Sequence, residues 1–146
     1  MDRSEEAQAI FKEGFNCAQT VLAVFAPDLG LDKEAALRVA GALGGGIGRM
    51  GETCGAVMGA LMALGLKYGM TRPGDLETKE YAYEQAGIFI EKFKECHGQL
   101  KCRALLGYDV SIPAEAELIK AKDLHNTLCT GYIRDAIALL EEMLNR

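Results

Sequence analysis

Several things are missing from this chain of 146 residues, and each absence removes a class of function. There is no surplus of basic residues: Lys+Arg number 16 against 21 Asp+Glu, a net charge of -5. Nucleic-acid binding rests on Lys and Arg neutralising phosphates, so a nucleic-acid partner is excluded. An anionic membrane surface is disfavoured for the same reason. No long apolar run occurs. The longest uncharged stretch, 53–66, spans 14 residues, well short of the ~20 that a membrane span needs. The N-terminal Met-Asp-Arg-Ser-Glu-Glu lacks the basic region and apolar run of a secretory signal, which points to a cytoplasmic, reducing compartment. No Cys-x-x-Cys occurs, which argues against ordinary thioredoxin-like exchange and against a sequence-local zinc knuckle. No Cys-x-x-Cys-His occurs, so no c-type haem is attached. No pair of carboxylates is placed for acid–base work. His97 and His125 are the only histidines, and both read as surface residues, with a helix break between His125 and Cys129.

No stretch alternates over strand length, and no repeat or linker divides the chain. The expectation is an all-α fold, a single compact bundle of five to six helices formed by one domain over residues 1–146. Hydrophobic spacing predicts helices over 3–26, 33–43, 53–68, 76–97, 113–122 and 127–144, with a short helical turn over 102–106. Asp32 reads as an N-cap, and Gly69, Gly98 and Gly107 as stops. The 76–97 helix carries the stripe Ala82, Ala86, Phe89, Ile90, Phe93 and Cys96. The uncharged 53–68 helix is expected to be the most buried.

Two residue types are abundant. Glycine occurs 17 times, and eleven of these lie between Gly41 and Gly74. Cysteine occurs five times, at 17, 54, 96, 102 and 129, an odd number that cannot pair completely within one chain. A thiolate is the reactive and ligating form, and a helix N-terminus favours it. By the expected boundaries Cys54, Cys102 and Cys129 stand at helix starts and Cys17 lies mid-helix. Cys96 sits at a helix C-terminus beside Glu95 and reads as packing. Cys54 is therefore expected to be acidic and to alkylate faster than Cys96.

Gly55 and Gly59 share one face of the helix that Cys54 opens. Glycines there cost ~1 kcal/mol each relative to alanine, so either a close helix or a cofactor must approach that face. Residues 46–51 spell G-x-G-x-x-G, but a helix rather than a strand precedes them, so no dinucleotide site follows. A glycine loop before a helix can still hold an anion, with Arg49 assisting.

Gly14-Phe15-Asn16-Cys17-Ala18-Gln19, Gly44-Gly45-Gly46-Ile47-Gly48, Cys54-Gly55-Ala56-x-x-Gly59, Cys102 with Leu105-Leu106-Gly107, and Cys129 together resemble one family. It is the redox-active family named for its C_GCAxxG_C_C pattern, and the resemblance runs from about Glu6 to Leu144. It implies four characteristic cysteines, Cys17, Cys54, Cys102 and Cys129, and leaves Cys96 outside the set. The resemblance implies a redox protein and supplies no reaction, substrate or cofactor; an oxidoreductase or electron-transfer protein working with a redox partner is the expectation that the cysteines add. The four thiols are candidates either for exchange or for metal ligation, with an iron–sulfur cluster or another thiophilic metal as the cofactor. Gly55, Gly59 and Arg49 are the candidate cofactor-binding residues. The competing reading is a non-catalytic helical subunit that binds a partner and uses its glycines and cysteines for packing. A homodimer fits either reading, since two-fold dimers are the commonest assembly.

Overall fold

Gly14 breaks the first expected helix. In a computed structural model, which describes residues 2–145, α1 (Arg3–Lys12) and α2 (Cys17–Phe25) take the place of one helix over 3–26. Gly14 adopts φ +100°, open to glycine without a Cβ clash. Asn16 then restarts the helix. Its side chain accepts from Gln19 N–H at 2.8 Å, and the Gln19 side chain accepts from Asn16 N–H at 2.9 Å. That reciprocal pair satisfies two of the backbone donors a helix start leaves free. The apolar spacing runs on through the break, which hides it in the sequence.

A short 3-10 turn (Pro27–Leu29) leads to α3 (Lys33–Val39), where the Asp32 carboxylate caps by accepting from Ala35 N–H at 2.8 Å. This helix ends before the expected boundary at 43. Beyond a non-helical segment come α4 (Gly55–Tyr68), α5 (Leu76–His97), α6 (Cys102–Leu106) and α7 (Pro113–Ala121). A π-helical turn (His125–Cys129) then runs directly into α8 (Thr130–Leu144). The described residues thus form eight α-helices, seven of them at least seven residues long, rather than five to six. The split of α1 from α2 and the separate α6 account for the difference. No strand forms among the described residues; Thr53 and Lys101 make one isolated antiparallel bridge. Among the described residues no helix is long and apolar enough to cross a membrane.

The core forms where α2 crosses α4, with α1, α5 and α8 packed around them. Contrary to expectation, α2 and not α4 is the most buried helix. Seven of the nine residues of α2 are buried, against seven of the 14 in α4. The reason lies in the glycine face. A Cβ on Gly59 would stand 2.7 Å from Ala18 O and 3.1 Å from Val21 Cβ, so its absence lets the two backbones meet. α4 presents that face to α2, while α2 is covered on most sides. In α5 only Phe89 and Phe93 are buried. Cys96 is exposed and does not extend the buried stripe; in that last turn of α5 it is His97 that turns inward, onto Phe93 and Tyr132.

Candidate functional site

Residues 45–49 carry φ values of +64°, +72°, +65°, +59° and +61°, a continuous left-handed turn. Left-handed backbone costs roughly 1–2 kcal/mol per non-glycine residue and is seldom occupied by several residues in a row. Ile47 and Arg49 bear that cost here. The turn is tied down at both ends. Gly48 N–H donates to Ala42 O at 2.8 Å, Arg49 N–H to Gly44 O at 3.0 Å, and Glu52 N–H to Gly46 O at 2.8 Å. The chain then runs beside the start of α6. Cys102 N–H donates to Glu52 O at 2.6 Å, and Cys54 N–H to Leu100 O at 2.7 Å. Arg103 closes this junction with an ion pair to Glu52 at 2.9 Å. The turn therefore brings Cys54 and Cys102 to one place.

Two other elements bring in the remaining thiols. Cys17 is the first residue of α2, and its Sγ fills the space a Cβ on Gly55 would need. Cys129 ends the π-helical turn, with its Sγ 3.6 Å from His125 Nδ1. Cys17, Cys54, Cys102 and Cys129 all line one cavity of about 590 Å³. Arg49, Gly55, His125, Asn126 and Tyr132 also line it, together with an apolar wall that includes Phe11, Phe15 and Leu105. Cys96 lies outside it. Gly59 is not on the wall and sits one turn deeper, under Ala18 and Val21.

Several expected placements need correction. Cys54 is the N-cap of α4 and not part of its first turn. Cys17 opens a helix and does not lie inside one, because Asn16 caps there. Cys129 is not at a helix start, since the π-helical turn is continuous with α8. No break separates His125 from Cys129, and His125 faces the cavity thiol. His125 is nonetheless exposed, as expected, whereas His97 is no free surface histidine. Its ring packs between Phe93 and Tyr132, with centroids at 4.7 and 4.9 Å. Its Nε2 lies 3.0 Å from Asp135 Oδ2, a close charge contact that lacks hydrogen-bond alignment. The spacing of four between His125 and Cys129 is visible in the sequence. Four residues apart on one helix share a face, but the expected break between them hid that pairing.

The electrostatics reverse the expectation of an acidic Cys54. Burial pushes its thiol up to about 12; a thiolate on Cys17 or Cys102 would add to this, while the Ala56 and Val57 N–H groups pull it down without prevailing. Burial likewise raises Cys102 to about 11, aided by Cys17 and Asp109. Cys17 is raised by burial against four opposing backbone N–H groups, those of Gly45, Cys17, Ala18 and Gly55. Cys129 is raised by burial, and thiolates on Cys17, Cys54 or Cys102 would raise it further. Desolvation of a charged sulfur thus outweighs the helix N-terminus. All four rest as protonated thiols near neutral pH. The order of alkylation in the folded protein is accordingly expected to be Cys96 first. Cys54, only 7% exposed and with its thiol pushed up to about 12, should lag well behind it, because so little of it is thiolate near neutral pH. Peptide mapping after timed iodoacetamide labelling reads this directly.

All five cysteines are free thiols. Among the described residues no three His, Cys, Asp or Glu side chains gather into a site for one metal ion. A family model described as "Putative redox-active protein (C_GCAxxG_C_C)" matches residues 15–143. No curated protein and no solved structure matches the chain.

Proposed function

The chain belongs to the C_GCAxxG_C_C family of redox-active proteins, and from that premise we propose that Cys17, Cys54, Cys102 and Cys129 work together as exchange thiols around one cavity. The observation that carries this reading is the gathering of four unpaired thiols on a single wall while the fifth cysteine stays outside.

Cys129 opens the reaction. It is the one cavity thiol in contact with a side-chain base, His125 Nδ1 at 3.6 Å, and it is only partly buried. The Cys129 proton passes to His125. The thiolate attacks one sulfur of a substrate disulfide and forms a mixed disulfide, and the departing sulfur takes the proton from His125. A second cavity thiol then attacks the Cys129 sulfur, closes an intrachain disulfide and releases the second substrate thiol. Two electrons pass from protein to substrate, and the reverse sequence oxidises a dithiol partner. The raised affinity of Cys17, Cys54 and Cys102 for their protons has a use in this scheme. Kept protonated, they add no charge to oppose ionisation of Cys129, and the buried Cys54 and Cys102 are shielded from stray oxidants. Such resting thiols suit a cytoplasmic, reducing compartment.

Four sulfur donors are also the chemistry of an iron–sulfur cluster or another thiophilic metal. Since no three candidate ligands among the described residues converge on a single-ion site, no step is routed through a metal. The deciding experiment takes protein purified without oxygen. Iron, zinc and acid-labile sulfide are measured, and the protein is then equilibrated in dithiol–disulfide buffers and its disulfides mapped. The expected result is a two-electron couple that consumes Cys129 and one other cavity thiol and leaves Cys96 free. Stoichiometric iron and sulfide replaces exchange with a cluster. Metal-free protein that forms no cavity disulfide leaves the partner-binding reading.

A further inference from the structure

We infer that Arg49 selects the substrate of this cavity, and that the substrate is a small disulfide bearing a carboxylate. The inference rests on the exchange reading for the disulfide, and on independent observations for the carboxylate.

Arg49 is the sole Lys, Arg, Asp or Glu among the described residues of the cavity wall. The chain carries a net charge of -5, yet the Arg49 guanidinium makes no ion pair or hydrogen bond among the described residues. The nearby acids are committed elsewhere. Glu52 pairs with Arg103 and Lys101, and Asp109 holds Ser111. Other polar groups on the wall are also spent. The Asn16 amide caps α2 and donates to Ala40 O and Gly41 O, the Asn126 amide donates to Asp123, and the Tyr132 hydroxyl donates to Leu105 O at 2.6 Å. What remains for a ligand is a guanidinium, and the His125 ring beside Cys129.

The backbone at Arg49 bears on the same point. Its φ of +61° is strained for a residue with a side chain, and strain of this kind persists where the surroundings hold it and function uses it. Its stem is held in place. A Cβ on Gly45 would lie 2.7 Å from Arg49 Cγ, so only glycine leaves room for the stem there. Beyond that stem, the guanidinium presents paired N–H donors that match the two oxygens of a carboxylate. The apolar part of the wall, Phe11, Phe15 and Leu105, suits a short carbon stem, and about 590 Å³ is the volume of a small-molecule site. The thiols rest protonated, so nothing on the wall repels an incoming anion. With the carboxylate on Arg49 and the S–S bond toward Cys129, the exchange proceeds as described above. The substrate disulfide is reduced to two thiols, and two cavity thiols are oxidised to one disulfide.

The test uses the full chain with Cys96→Ser, which removes the exposed thiol. Rates of cavity-thiol oxidation are compared for the dianionic disulfide 5,5′-dithiobis(2-nitrobenzoate) and the neutral 4,4′-dithiodipyridine. Arg49→Gln is expected to lower the anionic-to-neutral rate ratio by roughly tenfold, the worth of one charge-assisted contact, and Arg49→Lys to retain part of it. Added salt should lower the ratio with Arg49 in place and hardly alter it in Arg49→Gln. A second measurement avoids exchange chemistry. The dianion 3,3′-thiodipropionate, which has no S–S bond, is titrated while the backbone amide NMR signals of residues 45–49 are followed. Shifts that vanish in Arg49→Gln uphold the assignment of Arg49, even where neither disulfide reacts; that outcome removes the exchange reading alone. A rate ratio unchanged in Arg49→Gln, or thiodipropionate shifts that survive the substitution, overturns the inference.

Discussion

Replacing Gly46 by alanine is expected to destabilise the fold by about 3 kcal/mol, a large part of the ~5–15 kcal/mol that holds a domain together. Two costs add. Gly46 stands at φ +72°, where any Cβ is strained. That Cβ would also lie 2.6 Å from Glu52 N and 2.7 Å from Cys102 Cβ, between two backbones that are bonded to each other and cannot part cheaply. Gly48→Ala is the internal control. Its φ is +59°, but the nearest atom to a Cβ is Ala42 O at 3.8 Å, so only the backbone strain of about 1 kcal/mol remains. Urea unfolding measures both, as a shift of midpoint at constant slope. Equal losses in the two variants would remove the clash from the account. Because Gly46 packs on Cys102, the same variant should also spread the cavity thiols. Cys102 should then be labelled faster than in the parent even under conditions where the fold persists.

The second large effect concerns His125. His125→Asn is expected to slow the first exchange at Cys129 on the order of 10²-fold near pH 7, the usual contribution of a positioned base. The pH dependence has a definite sign. Burial holds the Cys129 proton on, and the Tyr132 hydroxyl on the same wall, itself raised by burial, supplies no base near neutrality. Without the imidazole to accept that proton, the thiolate forms only at higher pH, so the rate profile moves to the alkaline side. His125 is exposed, and asparagine keeps a polar side chain there, so stability should change by less than about 0.5 kcal/mol. Labelling of Cys96 serves as the unaffected reference. A profile in His125→Asn that superimposes on the parent's would assign proton acceptance to water and leave His125 a bystander.

Local chemistry alone was enough for much of the architecture. The helix at α5 begins where Asp75 caps and ends where Gly98 can turn left-handed, both written in adjacent residues. Asp32 before α3, Gly107 after α6 and Pro113 at the start of α7 follow the same short-range logic. The membership of Cys17, Cys54, Cys102 and Cys129 in one pattern is likewise a property of the letters and their spacing. What the letters did not decide depends on contacts distant along the chain. The turn at 45–49 is docked on the start of α6 because Gly46 lies under Cys102 and Cys102 N–H donates to Glu52 O, partners some fifty residues apart. His125 meets Cys129 because the helical backbone runs unbroken from the π-helical turn into α8, where the sequence suggested a break. The protonation of the thiols was read with the wrong sign. A helix start is local and visible in sequence, whereas desolvation sums over every element that closes around a sulfur, and at Cys54 that sum is the larger. Spacing along the chain named the residues of this protein; only the packing of α2, α4, α6 and the start of α8 determined which of them face one another, and in what state of charge.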